Sequence, residues 1–335
     1  MTIATADVLH RGRQLFLPAL QAAVARLDEA NRRIASYHLG WTDVDGTPSQ
    51  ASGGKTLRPA LALLSAEAAG AAAETGVPGA VAVELVHNFS LVHDDLMDGD
   101  TERRHRPTVW SVWGSSAAIL AGDAMLALAQ EILLDSGSIP AARLLTETTR
   151  ELIRGQVLDI EFERRSDVTL AECLDMTAGK TGSLLSASSA IGAILAGAAP
   201  EVVAALGAYG AELGIAFQLI DDLLGIWGDP ATTGKPVFND LRTRKKSLPV
   251  TYAVTHGGAA GRELSAWLAA DSLPADADLR RAADLVETAG GRAWVTEEAA
   301  RRIALAEDAL MPAPLDRTAR EELIALAHFT VSREA

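Results

Sequence analysis

The stretch Glu84-Leu85-Val86-His87-Asn88-Phe89-Ser90-Leu91-Val92-His93-Asp94-Asp95-Leu96-Met97-Asp98 decides how the rest of the chain is read. Its apolar residues recur every three or four positions, the period of one helix face. The pattern extends back to Gly79, so a helix is predicted over 79–98. Three carboxylates crowd its C-terminal end. That end already bears partial negative charge, so adjacent acids there call for a compensating cation. Asp94 and Asp98 are four residues apart and share a face, with His87 two turns before Asp94 on the same side. Carboxylates at this spacing suit a hard divalent cation, and Mg²⁺ typically takes one or two of them plus substrate phosphates. An EF-hand does not fit: with Asp94 at position 1, Leu96 stands at 3 and His105 at 12.

Outward from this helix the same period predicts helices over 14–34, 58–73, 115–134, 141–162, 170–196 and 201–226. Five more follow, over 246–256, 259–269, 279–289, 292–310 and 317–329. β-branched alternation is scarce, and no strand is expected. Two connections are long, Thr42 to Gly54 and Gly228 to Arg244, and long connections often carry function. No Pro/Gly-rich linker divides the 335 residues. The composition, 48% hydrophobic but only 4% aromatic, is rich in the helix formers Ala and Leu. The expectation is one large all-α domain spanning 1–335. A net charge of −14 excludes a generally basic nucleic-acid-binding surface. Cys173, the single cysteine, permits no internal disulfide and reads as a small core residue. Met1 to Arg13 does not read as a secretory signal. No run reaches ~20 uninterrupted apolar residues, so no membrane span is expected. A soluble cytoplasmic protein is the expected class.

A second helix end echoes the first. Gln218, Asp221 and Asp222 follow an apolar segment, with Gly225 where a third acid could stand. Facing each other, two such clusters would hold several metal ions around one polyanion. Cations are placed to match. Arg103 and Arg104 follow the first cluster, and Lys55 and Arg58 flank a predicted helix start, where free N–H groups favour phosphate. Lys235, Lys245 and Lys246 lie in or near the second long connection. Arg offers a planar fork to phosphate oxygens and Lys a mobile point charge.

In order along the chain stand Gly53-Gly54-Lys55-Thr56-Leu57-Arg58-Pro59, Glu84 to Asp98, and Arg103-Arg104-His105-Arg106-Pro107-Thr108. Gly155-Gln156 with Asp159, Lys180-Thr181, and Phe217-Gln218 with Asp221-Asp222 come next. Gly234-Lys235-Pro236 and Lys245-Lys246-Ser247-Leu248-Pro249 complete the series. With these motifs the chain resembles the trans-prenyltransferases of the polyprenyl synthetase family, most of all geranylgeranyl diphosphate synthases. The resemblance implies a single large helical bundle around a central cavity, of the isoprenoid synthase type. It implies Mg²⁺, three ions per site, with isopentenyl diphosphate as acceptor and dimethylallyl, geranyl or farnesyl diphosphate as donor. By matched position, Asp94 and Asp98 hold two Mg²⁺ and Asp221 the third, with Asp95 and Asp222 counted in the metal-binding acids. Arg103, Lys180, Gln218, Lys235 and Lys245 contact the allylic substrate. Lys55, Arg58, His87 and Arg104 hold isopentenyl diphosphate. Thr181, with Lys180 and Gln218, lines the developing carbocation. The family also implies a homodimer.

Three departures bear on this pattern. Gly225 replaces the last acid of the second motif, with Asp229 as a conceivable stand-in. His105 stands where the family often has glycine, and Phe238-Asn239 where small residues are common. Product length is tied in the family to the residues four and five before the first acid, here Ser90 and Phe89. The small Ser90 leaves room for a growing tail, while Phe89 either walls the pocket or packs in the core. The expected product is C20, with C15 and C25 as alternatives. A class I terpene cyclase needs one diphosphate site, whereas this chain has two sets of anchors. A non-catalytic partner subunit would be expected to lose metal carboxylates or cation-side residues, and a helical scaffold protein would need neither set.

Overall fold

The opening stretch forms a helix at Val77–Met97, in a computed structural model that describes residues 3–49, 56–229, 237–270 and 274–332. Pro78 sits in its first turn, where a missing N–H costs nothing. Leu85, Val86 and Val92 have no exposed surface, and the helix packs against Leu57–Ala68 and Ser115–Asp135. A helix apolar on most sides belongs in an interior. Apart from one small hairpin and an isolated Thr42–Pro48 bridge, the regular structure of the described residues is helical, as expected.

The chain divides into two compact units. The first comprises Met1–Thr149, Ala187–Gly207 and Leu310–Leu326. Its core includes Phe16, Leu20, Leu61, Leu64, Leu85, Met125 and Leu133. The second comprises Arg150–Ser186, Ala208–Ala309 and Ala327–Ala335. One cluster in it gathers Phe162, Cys173, Leu219, Leu223, Leu248 and Val295, and another Ile226, Leu241, Val250, Leu264, Leu279 and Val286.

Three local expectations fail for identifiable reasons. The helix expected over 14–34 is two helices, Ile3–Val24 and Glu29–His38. Asp28 splits them: its Oδ1 accepts the N–H groups of Ala30 and Asn31, both at 3.1 Å, and this cap outweighs the continuing apolar period. The helix expected over 170–196 is interrupted at Ala178–Gly182 by one wide π turn, a device frequent at functional sites. Finally, Glu102–Arg103 and Arg106–Pro107 pair as a two-stranded antiparallel hairpin. Its loop residues, Arg104 and His105, have φ of 52° and 60°. Two left-handed loop residues match the twist of a tight hairpin, a place usually given to Asn or Gly. Strands of two residues are too short for alternation to reveal them.

Helices Ser115–Asp135 and Pro200–Trp227 are long and apolar enough to cross a bilayer by length and composition. Asp123, Glu131, Glu212 and Asp221 interrupt their apolar runs, and core helices of this kind pass the same test.

Candidate active site

In the first unit, Asp98 follows the acid-bearing helix and its N–H donates to the Asp94 carbonyl at 2.8 Å. Asp94 is half-buried and Asp98 exposed, so both can be reached from outside. Asp95 lies in the interior at 1% exposure. There Arg103 Nε donates to its Oδ1 at 2.7 Å. Burial pushes the Asp95 pKa up to about 6 in spite of that cation. Of this expected metal-binding acid, one oxygen is thus engaged with Arg103. The two terminal nitrogens of Arg103 make no hydrogen bond among the described residues, so a fork suited to phosphate is held by its stem. The hairpin thus delivers the cation that the acidic helix end requires.

Arg58 and His87 come together, with Nη1 and Nε2 3.5 Å apart. Burial, then the nearby Arg58 and Arg104, hold His87 well below its ordinary pKa, so the ring is neutral. Glu84 lies beneath them. Asn88 Nδ2 donates to its Oε1 at 3.1 Å and to its carbonyl at 2.8 Å. Burial raises the Glu84 pKa against the pull of Arg58. Lys55 lies outside the described residues. Phe89 is buried with its ring edge against His93, 4.9 Å between centroids. Ser90 is half-buried, and its hydroxyl donates to the His87 carbonyl at 2.8 Å.

Sequence reasoning missed His38. With Asp95, Arg103, Arg104 and Arg106 it lines a cavity of about 30 Å³, room for about one water. Its Nε2 and the Asp95 Oδ2 are buried and have no hydrogen-bond partner among the described residues. Burial, with Arg104 and Arg103 close by, pushes the His38 pKa down to about 3. No local signal marks it, because its neighbours lie more than 50 residues away in sequence.

In the second unit, Lys180 and Thr181 sit on the π turn. Gly155 explains part of its own motif: a Cβ there would lie 2.2 Å from the Lys180 backbone nitrogen. Only glycine lets helix Ile139–Arg164 approach the turn so closely. Lys180 Nζ donates to Asp159 Oδ2 at 2.6 Å. Thr181 Oγ1 donates to Gln218 Oε1 at 2.7 Å, and Gln218 Nε2 donates to Asp222 Oδ1 at 2.7 Å. Asp222 Oδ2 accepts the Leu248 N–H at 2.9 Å. Both oxygens of Asp222, expected among the metal-binding acids, are therefore hydrogen-bonded inside the unit. Burial pushes its pKa up to about 7. Asp221, one residue before it, is exposed.

Burial opposes the charge of Lys245, but Asp159, Asp240, Asp222 and Asp221 outweigh it and hold the ammonium firmly protonated. Lys246 points elsewhere, its Nζ donating to the Glu163 carbonyl at 2.9 Å. Cys173 is a core residue as expected, its thiol pushed up to about 11 by burial. Lys235, with Gly234 and Pro236, lies outside the described residues.

Among the described residues no three His, Cys, Asp or Glu side chains converge to hold a metal by themselves. The accessible carboxylates of Asp94 and Asp98 in the first unit, and that of Asp221 in the second, each suit a cation that takes few protein ligands and completes its shell with phosphate oxygens and water.

Comparison with known proteins agrees with this chemistry. The family model described as polyprenyl synthetase matches residues 47–286. The (2E,6E)-farnesyl diphosphate synthase of Mycobacterium tuberculosis is 53% identical, over 100% of this chain and 95% of its own length. The geranylgeranyl diphosphate synthase of the same organism is 43% identical, over 98% and 93%. The crystal structure of a polyprenyl synthetase from Streptomyces coelicolor A3(2) superposes with a TM-score of 0.94 at 51% identity, covering 98% of this chain and 99% of that one.

Proposed function

The chain belongs to the polyprenyl synthetase family and is a trans-prenyl diphosphate synthase, and from that premise we propose that it joins isopentenyl diphosphate to an allylic diphosphate, forming geranylgeranyl diphosphate with Mg²⁺. The observation that carries the reaction type is the presence of two cationic sets of different make. Arg58, His87 and Arg104 gather beside Glu84 in the first unit. Lys180 and Lys245 gather around Asp159 in the second. A condensation handles two diphosphates, whereas a cyclase handles one.

In the proposed reaction the allylic C–O bond breaks and pyrophosphate leaves with the electron pair. Bound Mg²⁺ at Asp94, Asp98 and Asp221 would neutralise charge on that leaving group. Arg103, aimed by Asp95, Lys180, positioned by its hydrogen bond to Asp159, and Lys245, held charged by Asp159 and its neighbouring acids, receive its oxygens. The cation left behind needs dipoles without competing nucleophiles. Thr181 supplies one, since its proton is committed to Gln218 and its lone pairs remain. The acceptor double bond, positioned by Arg58, His87 and Arg104, attacks to form the new C–C bond. Loss of a proton to pyrophosphate closes the step.

The small Ser90 one turn before Asp94 supports the C20 product, and Phe89, packed on His93, is read as the side wall of the tail pocket. The 53% identical farnesyl synthase favours a second reading, a C15 product. Purified protein given Mg²⁺, isopentenyl diphosphate and C5, C10 or C15 allylic diphosphates decides between them. A linear C20 alcohol after dephosphorylation supports the proposal, C15 the second reading, and a cyclic hydrocarbon neither. We read the protein as a cytoplasmic homodimer. Exposed Ile119 and Leu120 on helix Ser115–Asp135 support a partner-covered face, and light scattering at two concentrations tests it.

A further inference from the structure

Helix Glu29–His38 and the hairpin of Glu102–Arg103 and Arg106–Pro107 are clamped together. Arg106 Nη1 donates to the Tyr37 carbonyl at 2.9 Å, and its Nη2 to the Thr42 carbonyl at 2.7 Å. In return the Tyr37 hydroxyl donates to the Pro107 carbonyl at 2.8 Å. The Arg106 guanidinium also lies over the Tyr37 ring, 4.2 Å from its centroid. This clamp sets His38, the last residue of the helix, beside Asp95, Arg103 and Arg104 around the cavity of about 30 Å³.

Two acceptors border that cavity. His38 Nε2 and Asp95 Oδ2 are both buried, and neither has a hydrogen-bond partner among the described residues. Unpaired buried polar atoms are costly, and native interiors satisfy them, with ordered water where no side chain reaches. Donor and acceptor roles here fit one water. Asn88 is within hydrogen-bonding reach of the imidazole. Its amide nitrogen is occupied by Glu84, at 2.8 and 3.1 Å. The amide oxygen is therefore the partner, and it accepts the Nδ1 proton. That leaves Nε2 of the neutral ring an acceptor, as is an ionised Asp95 Oδ2, so the two atoms cannot satisfy each other. A water has a proton for each. Its oxygen can accept from Arg104, which lines the same cavity, completing the three bonds usual for a buried water.

We infer that His38 is a positioning residue for the allylic diphosphate: through one water in this cavity it fixes the second oxygen of Asp95, and with it the direction in which Arg103 presents its fork. This rests on the reading of Arg103 proposed above. Asp95 holds Arg103 by a single bond, Nε to Oδ1. One bond leaves the carboxylate free to turn about its last torsion, which is intrinsically soft. Tying its other oxygen to a clamped helix end removes that freedom. A merely structural alternative has His38 pack in the interior with no bearing on Arg103.

The test joins crystallography to kinetics on the full-length protein. A crystal structure that shows ordered water is expected to place one within hydrogen-bond distance of both His38 Nε2 and Asp95 Oδ2. His38→Leu removes the acceptor. It is expected to lower kcat/KM for the allylic diphosphate by ~10-fold, within what a misplacement of about 1 Å can cost. His38→Gln returns an amide near the Nε2 position and should recover most of that loss. With Arg103→Lys the fork is already gone, so adding His38→Leu should cause little further loss, the non-additivity of residues that act through one group. Should His38→Leu fail to fold, His38→Asn, which keeps a partner for Asn88 but stops short of the water, takes its place in the same cycle.

The absence of a water within reach of both atoms overturns the inference, as does wild-type kcat/KM in His38→Leu. A loss that is as large beside Arg103→Lys, or that His38→Gln does not relieve, overturns it too and leaves His38 a packing residue. If the wild-type chain performs no condensation, the proposed function falls first. That failure is distinguishable, because the ordered water still decides for or against the link between His38 and Asp95.

Discussion

The two acid clusters sort their carboxylates alike, an inner acid in the interior and outer acids within reach, yet they satisfy the inner acid differently. Asp95 meets a guanidinium and keeps one oxygen without a partner among the described residues. Asp222 meets the Gln218 amide and the Leu248 N–H, with both oxygens used. The difference lies in what each acid orients. Asp95 fixes the stem of an arginine and leaves a charged fork, suited to phosphate. Asp222 fixes an amide, and through it the Thr181 hydroxyl, so the group presented is a dipole. For the proposed reaction, positive charge belongs on the leaving group and not beside the carbocation. Adjacent acids with the same spacing can thus support opposite halves of one ionisation.

Breaking the outer acids should have the largest effect. Asp94→Ala is expected to lower turnover by 10²–10³-fold or more, on the order seen when a group stabilising transition-state charge is lost, with the melting temperature little changed. Full activity in that variant would remove the first cluster from the metal site. Next comes Arg103→Lys, which keeps the charge but loses the Nε clamp on Asp95. A loss of ~10-fold or more in kcat/KM for the allylic substrate is expected, since a point charge does not replace a positioned fork. Unaltered kinetics would mean that Asp95 neutralises Arg103 without aiming it. Gly155→Ala acts on the second cluster alone, pressing a methyl group on the Lys180 backbone. It should cost ~1–3 kcal/mol in denaturant unfolding, the usual range for overpacking. An unchanged midpoint would show that the π turn yields easily.

Much of this was legible in the sequence where the signal was local. The period from Gly79 to Asp98 gave the helix, the four-residue step from Asp94 to Asp98 gave the shared face, and Arg58 and His87 do meet. What was not legible depended on tertiary contacts. Nothing near Asp95 says that Arg103 will turn back on it, because the hairpin rests on two left-handed residues without glycine. The break at Asp28 was readable in principle, since an aspartate before Glu29 is an ordinary cap, but the apolar period ran past it. The π turn was hidden because a single wide turn does not disturb the apolar pattern. His38 was invisible because the charged residues that line its cavity, Asp95 and Arg103 among them, lie more than 50 positions away.

The smallest expected effect separates the two inner acids by pH. Both have folded-state pKa values above the unfolded value of 3.8, to about 6 for Asp95 and about 7 for Asp222. Well below pH 3.8 each is protonated in both states and contributes nothing. As pH rises, the unfolded chain releases the proton first while the folded chain keeps it, so wild-type stability falls across the window. Above the folded pKa both states are ionised and the cost stays constant. Asp95→Asn and Asp222→Asn remove these titrations. Each variant loses a contact, and that loss is a constant offset at all pH values. The stability difference, variant minus wild type, should therefore climb with pH by at most about 1.4 kcal/mol per unit. It should level off near pH 6 for Asp95→Asn and near pH 7 for Asp222→Asn. Burial is the first cause of both shifts, offset by Arg103 at Asp95 and by Lys245 at Asp222. Urea midpoints at half-unit steps from pH 4 to 8 measure both curves. Coincident plateaus would mean that burial less its compensating cation weighs equally on the two acids.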